Sequence, residues 1–221
     1  MTLIVASIRP QDVALTADGR STTSTNGVVT GVDDAFQKLF PIPDHPVVIG
    51  HMGENRLANQ PLRDFLHHFV QHLNTGNLTI LEIADELCHY AHAAIRTRLK
   101  SLGNPKFGCN LWVAGFGLHE KQPKLVETFW RFKDDALMIE ERQHGPLSVV
   151  LGGDGKQQIS LPDWHAVEGK SVEEVRAYHL SLMNQAMQAK VEPNTVGGHI
   201  HEIVITPAEC RWTQPPKAQV S

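Results

Sequence analysis

Cysteine is scarce in this chain: three in 221 residues, at positions 88, 109 and 210, with no Cys-x-x-Cys pair. That scarcity argues against a disulfide framework or a thiolate zinc site and fits a reducing compartment. Long apolar runs are missing too, none approaching the roughly 18 residues that span a bilayer. The apolar start, residues 2–8, has no basic stretch before it and is broken by Arg9-Pro10, so it does not read as a secretion signal. A basic excess is also lacking: 20 Lys and Arg stand against 24 Asp and Glu and are scattered, which excludes a polyanion-binding surface. Thirteen histidines raise the question of a metal, but His-Glu-x-x-His does not occur. The pairs His68/His72, His89/His92 and His199/His201 come without the carboxylates or thiolates a metal site recruits, so they read as solvated or interface residues. The expectation is a cytoplasmic protein with no cofactor, no metal, and neither nucleic acid nor membrane as partner.

What is present is the composition of one well-buried globular domain. Residues 2–8 form an almost continuous apolar run and residues 12–17 follow a short turn, which predicts a hairpin. The Ser, Thr, Gly and Asn of residues 19–34 predict a loop. Residues 36–42 and 47–52 predict a second strand pair across Pro43-Asp44-His45-Pro46. Two helices follow. Leu62, Phe65, Leu66, Phe69 and Val70 share a stripe on the first, over residues 61–70, which the 74–77 region with Gly76 stops. Thr79 caps the second, which buries Leu81, Ala84, Leu87, Cys88, Ala91 and Ile95 and ends at Gly103-Asn104-Pro105. Strand patterns resume at 110–116, 124–132, 137–142 and 147–151. A third helix over 172–189 opens on a Ser171/Glu174 capping box, and strands at 200–206 and 210–213 close the domain. Too many strands lack crossover helices for a doubly wound parallel sheet. The order fits an α+β protein, a four-layer α-β-β-α sandwich of two mostly antiparallel sheets over residues 1–213, with a disordered tail at 214–221.

The first chemical signal is Thr2. A short side chain after Met1 is one that methionine aminopeptidase exposes, and its removal would leave a hydroxyl and a free α-amine on one residue. Such an amine titrates at about 7.7–8.0 and can activate the hydroxyl beside it. Many chains begin Met-Thr, so the surrounding pattern decides. Lys38 falls between Phe36 and Phe40, and period-2 alternation puts it on their face, pointing inward. A buried ammonium needs a partner, and Asp18, at the end of the first hairpin, is available; the other reading is a solvated edge lysine. Gly53 ends a strand, where a backbone N–H unobstructed by a Cβ can face a developing oxyanion; its plain reading is a turn glycine.

Thr2 opening a buried strand, then Asp18-Gly19-Arg20, Lys38-Leu39-Phe40 and Gly53, resemble in that order the proteasome β-subunit and HslV family of N-terminal nucleophile hydrolases. Leu151-Gly152-Gly153-Asp154-Gly155 resembles the family's glycine-rich segment beside the nucleophile. Val196-Gly197-Gly198-His199-Ile200 resembles its Ser-Gly-Gly turn before a closing strand. The similarity runs to about Pro207, with the bacterial proteasome homologue group nearest and Anbu further off. It implies the four-layer sandwich and threonine-type hydrolysis of peptide bonds. It also implies stacked rings of six or seven subunits around a chamber, peptide or unfolded protein as substrate, and an unidentified ATPase partner. Carried onto this chain, Thr2 is the nucleophile, Asp18 and Lys38 set its electrostatics, Gly53 holds the oxyanion, and Arg20 and Asp154 support them. The chain departs from the pattern at Asp154, where the family has a serine. It also lacks a second aspartate among Glu192-Pro193-Asn194 and has a longer segment over 21–34. Those departures keep two other readings open: a ring-forming scaffold or binding particle with little proteolytic activity, and a small-molecule amidase using the same nucleophile.

Overall fold

Alternation along the strands decides the layers. In β1 (Ile4–Arg9), Ile4, Ala6 and Ile8 point to one face and Val5 and Ser7 to the other, and every one of these positions is buried. A strand covered on both sides belongs to the inner layer of a sandwich. The remaining elements follow in chain order: β2 (Asp12–Ala17), β3 (Ser21–Thr25), β4 (Val28–Asp33), β5 (Leu39–Pro41), β6 (Val47–Gly53), β7 (Arg56–Leu57), β8 (Gln60–Pro61), α1 (Leu62–His72), α2 (Ile80–Leu102), β9 (Gly108–Gly115), β10 (Lys124–Lys133), β11 (Ala136–His144), β12 (Ser148–Gly152), α3 (Val172–Gln188), β13 (His201–Ile205) and β14 (Cys210–Gln214). The computed structural model describes residues 2–25, 28–57, 60–73, 78–103, 108–134, 136–160, 162–189 and 196–217. Outside them lie Met1, the 74–77 stop, Asn104-Pro105, Glu192-Pro193-Asn194 and residues 218–221 of the expected tail.

Sheet I has the order β12-β1-β2-β13-β14 and sheet II the order β11-β10-β9-β6-β5; all pairings in both are antiparallel. Ile4, Leu15, Ile203, Met52, Trp112 and Leu125 fill the space between the sheets. Helices α1 and α2 cover the far side of sheet II through Phe65, Leu66, Phe69, Leu87 and Ile95. Helix α3 covers sheet I through Val175, Leu182, Met183 and Ala186. The result is the expected four-layer α-β-β-α sandwich. Both α2 and α3 open on complete capping boxes, Thr79 with Glu82 and Ser171 with Glu174, and α2 ends on Gly103 at φ 61°. No described helix is long and apolar enough to cross a membrane.

Four expectations are corrected. Residues 19–34 are not a loop: β3 and β4 pair as a two-stranded ribbon, because Thr22, Thr23, Val29 and Val32 favour extended backbone whatever the turn-forming residues among them. The strand expected over 36–42 shrinks to Leu39–Pro41. The buried stripe of α2 runs through Ile80, Ile83, Ala84, Leu87, Ala91, Ile95 and Leu99, with Leu81 and Cys88 at its margin. Finally, β14 reaches Gln214, and Pro215 O accepts a hydrogen bond from His199 at 2.8 Å, so the chain is held past the expected boundary.

Three histidines are core residues, His51, His179 and His201, and of these His201 was expected to be solvated or at an interface. His179 lies between sheet I and α3, bonded to Ser7 Oγ at 2.6 Å and Thr16 Oγ1 at 3.0 Å. Desolvation pushes each of the three down to about 3, helped by the charge of Lys38 at His51 and His201 and of Arg9 at His179. Each is therefore neutral in the fold, while the unfolded chain protonates them near pH 6.5. Their contribution is complete above that pH and is lost as pH falls from about 6.5 toward 3. The loss is about 1.4 kcal/mol per pH unit for each histidine. Urea midpoints measured from pH 7.5 downward should hold steady and then drop steeply below pH 6.5; a flat profile to pH 4.5 would contradict the burial.

Candidate active site

The site is built around one carboxylate. Asp18 follows β2, is 0% exposed, and accepts four donors. Its Oδ1 takes Leu3 N at 2.8 Å and Lys38 Nζ at 2.7 Å; its Oδ2 takes Gly197 N at 3.1 Å and Arg20 N at 3.3 Å. Asp18 N returns a bond to Leu3 O at 3.1 Å. One side chain thus ties the start of β1, the turn before β13 and the chain entering β5. A buried carboxylate tolerates its surroundings only when its lone pairs are filled in this way.

Lys38 is 1% exposed and crosses from sheet II to sheet I to reach Asp18. Its second acceptor is Arg20 O at 2.7 Å, and the third N–H of the ammonium has no acceptor among the described residues. Burial pulls the Lys38 pKa below its ordinary value, and the Asp18 charge works against that pull. The alternation argument for its direction fails, although the destination is right. Phe40 faces the helices and packs on His67, whereas Lys38 precedes the strand. Its N–H goes to His201 Nε2 at 3.1 Å, which releases the side chain from the β5 pleat and lets it turn inward.

Thr2 is 8% exposed and lies two residues before Ile4, on the register of the inter-sheet face. Asp18 Oδ1 is shared by Leu3 N and Lys38 Nζ, so the ammonium stands one carboxylate oxygen away from the Thr2–Leu3 peptide bond. Thr2 O accepts Gly155 N at 3.1 Å. Gly153, at φ 88°, passes so close that a Cβ there would fall 2.1 Å from Thr2 O, which only glycine permits. The glycine-rich segment therefore clamps the carbonyl of Thr2, with the exposed Asp154 between the two contacts.

Thr2, Lys38, Gly53 and Asp154 line one cleft of about 1130 Å³. Gly53 ends β6 at φ 93°, where a Cβ would meet Gly108 O at 2.2 Å. Arg20 forms a bidentate pair with Asp34, at 2.6 and 3.0 Å, that closes the base of the β3–β4 ribbon at the mouth. The six residues singled out in the sequence thus gather at one place. Two histidines beside them were not foreseen. His51 lines the cleft, Nε2 bonded to Glu54 O at 2.6 Å and Nδ1 buried without a partner among the described residues. His201 shares the inter-sheet face with Ile203 and Ile205, a period-2 pattern legible in His201-Glu202-Ile203-Val204-Ile205. Among the described residues no three His, Cys, Asp or Glu side chains converge where they could hold a metal ion.

Because the pair is dry, removing one member strands the other. Lys38→Met should cost about 3–5 kcal/mol of unfolding free energy. Asp18→Ala should cost more, since it also strands the Leu3 and Gly197 amides. The double variant should cost clearly less than the two added. Denaturant titration of the three variants checks this, and additive losses would show that the two side chains are not coupled.

No protein-family model matches the chain, and no curated protein sequence matches it. Solved structures do. An Anbu Gly-1 mutant from Hyphomicrobium sp. strain MC1 superposes with a TM-score of 0.63 at 14% identity, covering 99% of this chain and 88% of its own. Anbu, an ancestral beta-subunit, from Yersinia bercovieri superposes at 0.61 and 14% identity, covering 96% and 87%. At that identity the likeness is one of fold: the chain shares the fold of these Anbu structures.

Proposed function

We propose that the protein is a threonine-type peptidase of self-compartmentalising design, using Thr2 as its nucleophile once Met1 is removed. One observation carries the reading: a buried ammonium with two N–H groups committed and the third uncommitted, lining the same cleft as Thr2. The positive field of Lys38 lowers the cost of an alkoxide on Thr2 Oγ and holds down the proton affinity of a neighbouring α-amine. In the attack, the α-amine, through a water, takes the Oγ proton while Oγ bonds to the scissile carbonyl carbon. The carbonyl oxygen becomes an oxyanion facing the Gly53 N–H. Collapse breaks the C–N bond, and the leaving amine takes the proton held by the α-ammonium. Water then cleaves the acyl-enzyme by the same groups in reverse order. Asp18 orients the ammonium, and Arg20 with Asp34 steadies the backbone that supplies its second acceptor.

Assembly into rings around an inner chamber, in the cytoplasm and fed by an unidentified ATPase, belongs to the same proposal. Met138 and Ile139, on the two faces of the edge strand β11, are 43% and 48% exposed, apolar surface that fits a contact between subunits. Asp154 favours a second reading, a scaffold ring with little turnover. A carboxylate beside Thr2 holds an α-ammonium in its protonated, non-basic form.

Peptide hydrolysis by the Met1-free chain separates them. Thr2→Ala should lower turnover at least about a thousandfold, and Lys38→Ala nearly as far, each measured where the variant stays folded and with the native particle mass preserved. Full activity in Thr2→Ala would remove the mechanism, and a correctly processed but inert wild type would favour the scaffold.

A further inference from the structure

The outer wall of the cleft is the part of sheet II that runs past the edge of sheet I. Strand β12 ends sheet I, while β10 and β11 continue beyond the inter-sheet core. On one face of β10, Leu125 is buried between the sheets; Glu127, Phe129 and Arg131, the next residues on that face, line the cleft. The cations of this wall are mostly spoken for. Arg98 pairs with Glu54 at 3.0 Å and Arg142 with Glu140 at 3.0 Å, while Arg20 is held by Asp34. Arg131 differs. Its Nε is buried with no acceptor, and no ion pair or hydrogen bond engages its Nη nitrogens among the described residues. Those nitrogens are not buried either, so the guanidinium presents its outer edge to the cleft while its inner edge is shielded.

Among the described residues the neighbouring carboxylates point to other partners. Glu127 Oε1 accepts Asn110 Nδ2 at 2.7 Å and Trp112 Nε1 at 3.3 Å, and its Oε2 faces His144 Nε2 at 3.7 Å. Burial opposes ionisation of Glu127, but these contacts outweigh it and hold the carboxyl down to about 2. Glu140 and Glu54 are engaged by their own arginines. At the Thr2 end the cleft is lined by charges of both signs, Lys38, Asp154 and Lys156, while the β10 wall offers an open guanidinium.

We infer that Arg131 heads a carboxylate-binding subsite, so that the cleft selects peptides carrying a free carboxylate, from a C-terminus or an acidic side chain, at a distance from the bond presented to Thr2. A planar fork with two open Nη groups matches a carboxylate end-on. This rests on the cleft being a peptide site, and the two claims fail separately because binding can be read without turnover.

The test uses the full chain with Thr2→Ala and fluorescein-labelled short peptides followed by anisotropy at low salt. One arm compares a free C-terminus with its amide, the other an internal Glu with Gln. At least one carboxylate form should bind about tenfold more tightly than its neutral counterpart, and the arm that responds names the source. Arg131→Gln should shrink that ratio below about twofold, and Arg131→Lys should retain part of it. Equal binding in both arms, no binding by any peptide, or a ratio that survives Arg131→Gln would each overturn the inference. So would an Arg131→Gln variant that changes the native particle mass and leaves the ratio intact, since the guanidinium would then belong to a subunit contact.

Discussion

A dry ion pair between the two sheets is the constraint on which the rest of this structure depends. Lys38 comes from the chain entering sheet II, Asp18 from the end of β2 in sheet I, and each is nearly inaccessible to water. Two apolar sheets could close over Leu and Ile alone, and a well-packed hydrophobic pair is often the more stable choice at such a position. What the ion pair adds is placement. Asp18 draws in the start of β1, the Val196-Gly197 turn and the backbone of Arg20 together with the ammonium. The same four bonds that satisfy a buried charge fix Thr2 beside a positive group, so the cost of burial and the placing of the proposed nucleophile have one physical origin.

The surroundings follow from that arrangement. Holding the ammonium requires neutral neighbours, and His51 and His201, both held down to about 3, stay uncharged beside it. His201 can accept Lys38 N through Nε2 only in that state. The glycine-rich segment must pass within contact of Thr2 O, which accounts for Gly153. Further out the cleft becomes ionic: its Arg–carboxylate pairs give the wall a fixed shape, and Arg131 is left open. The Thr2 end and the β10 wall are thus built from different chemistry, one desolvated and one solvent-facing.

The layers were largely legible from residue order. The first hairpin, the Thr79 and Ser171 capping boxes, and the alternation of β10 are local signals, and local signals survive in the fold. Residues 19–34 misled because turn-forming and β-branched residues share the segment, and pairing of β3 with β4 settles the contest. Lys38 shows a deeper limit. Its burial and its partner could be guessed, but the reason offered, a shared face with Phe36 and Phe40, does not hold, since a bond to His201 some 163 positions away takes it off the strand. Asp18 as a four-donor hub, and the Nδ1 of His51 left without a partner among the described residues, are tertiary facts that no spacing records. His201 was within reach, because its alternation with Ile203 and Ile205 marks it as inward-facing.

The central claim is that one residue supplies both attacking oxygen and proton-accepting nitrogen beside a buried cation. A peptide epoxyketone tests it most directly, because a stable adduct needs a hydroxyl and a free amine on the same residue. Intact-mass and peptide-mapping mass spectrometry of the Met1-free chain should find a single adduct on Thr2, sharply reduced in Lys38→Ala. A correctly processed chain that gains no mass, or an adduct located elsewhere, would contradict the account.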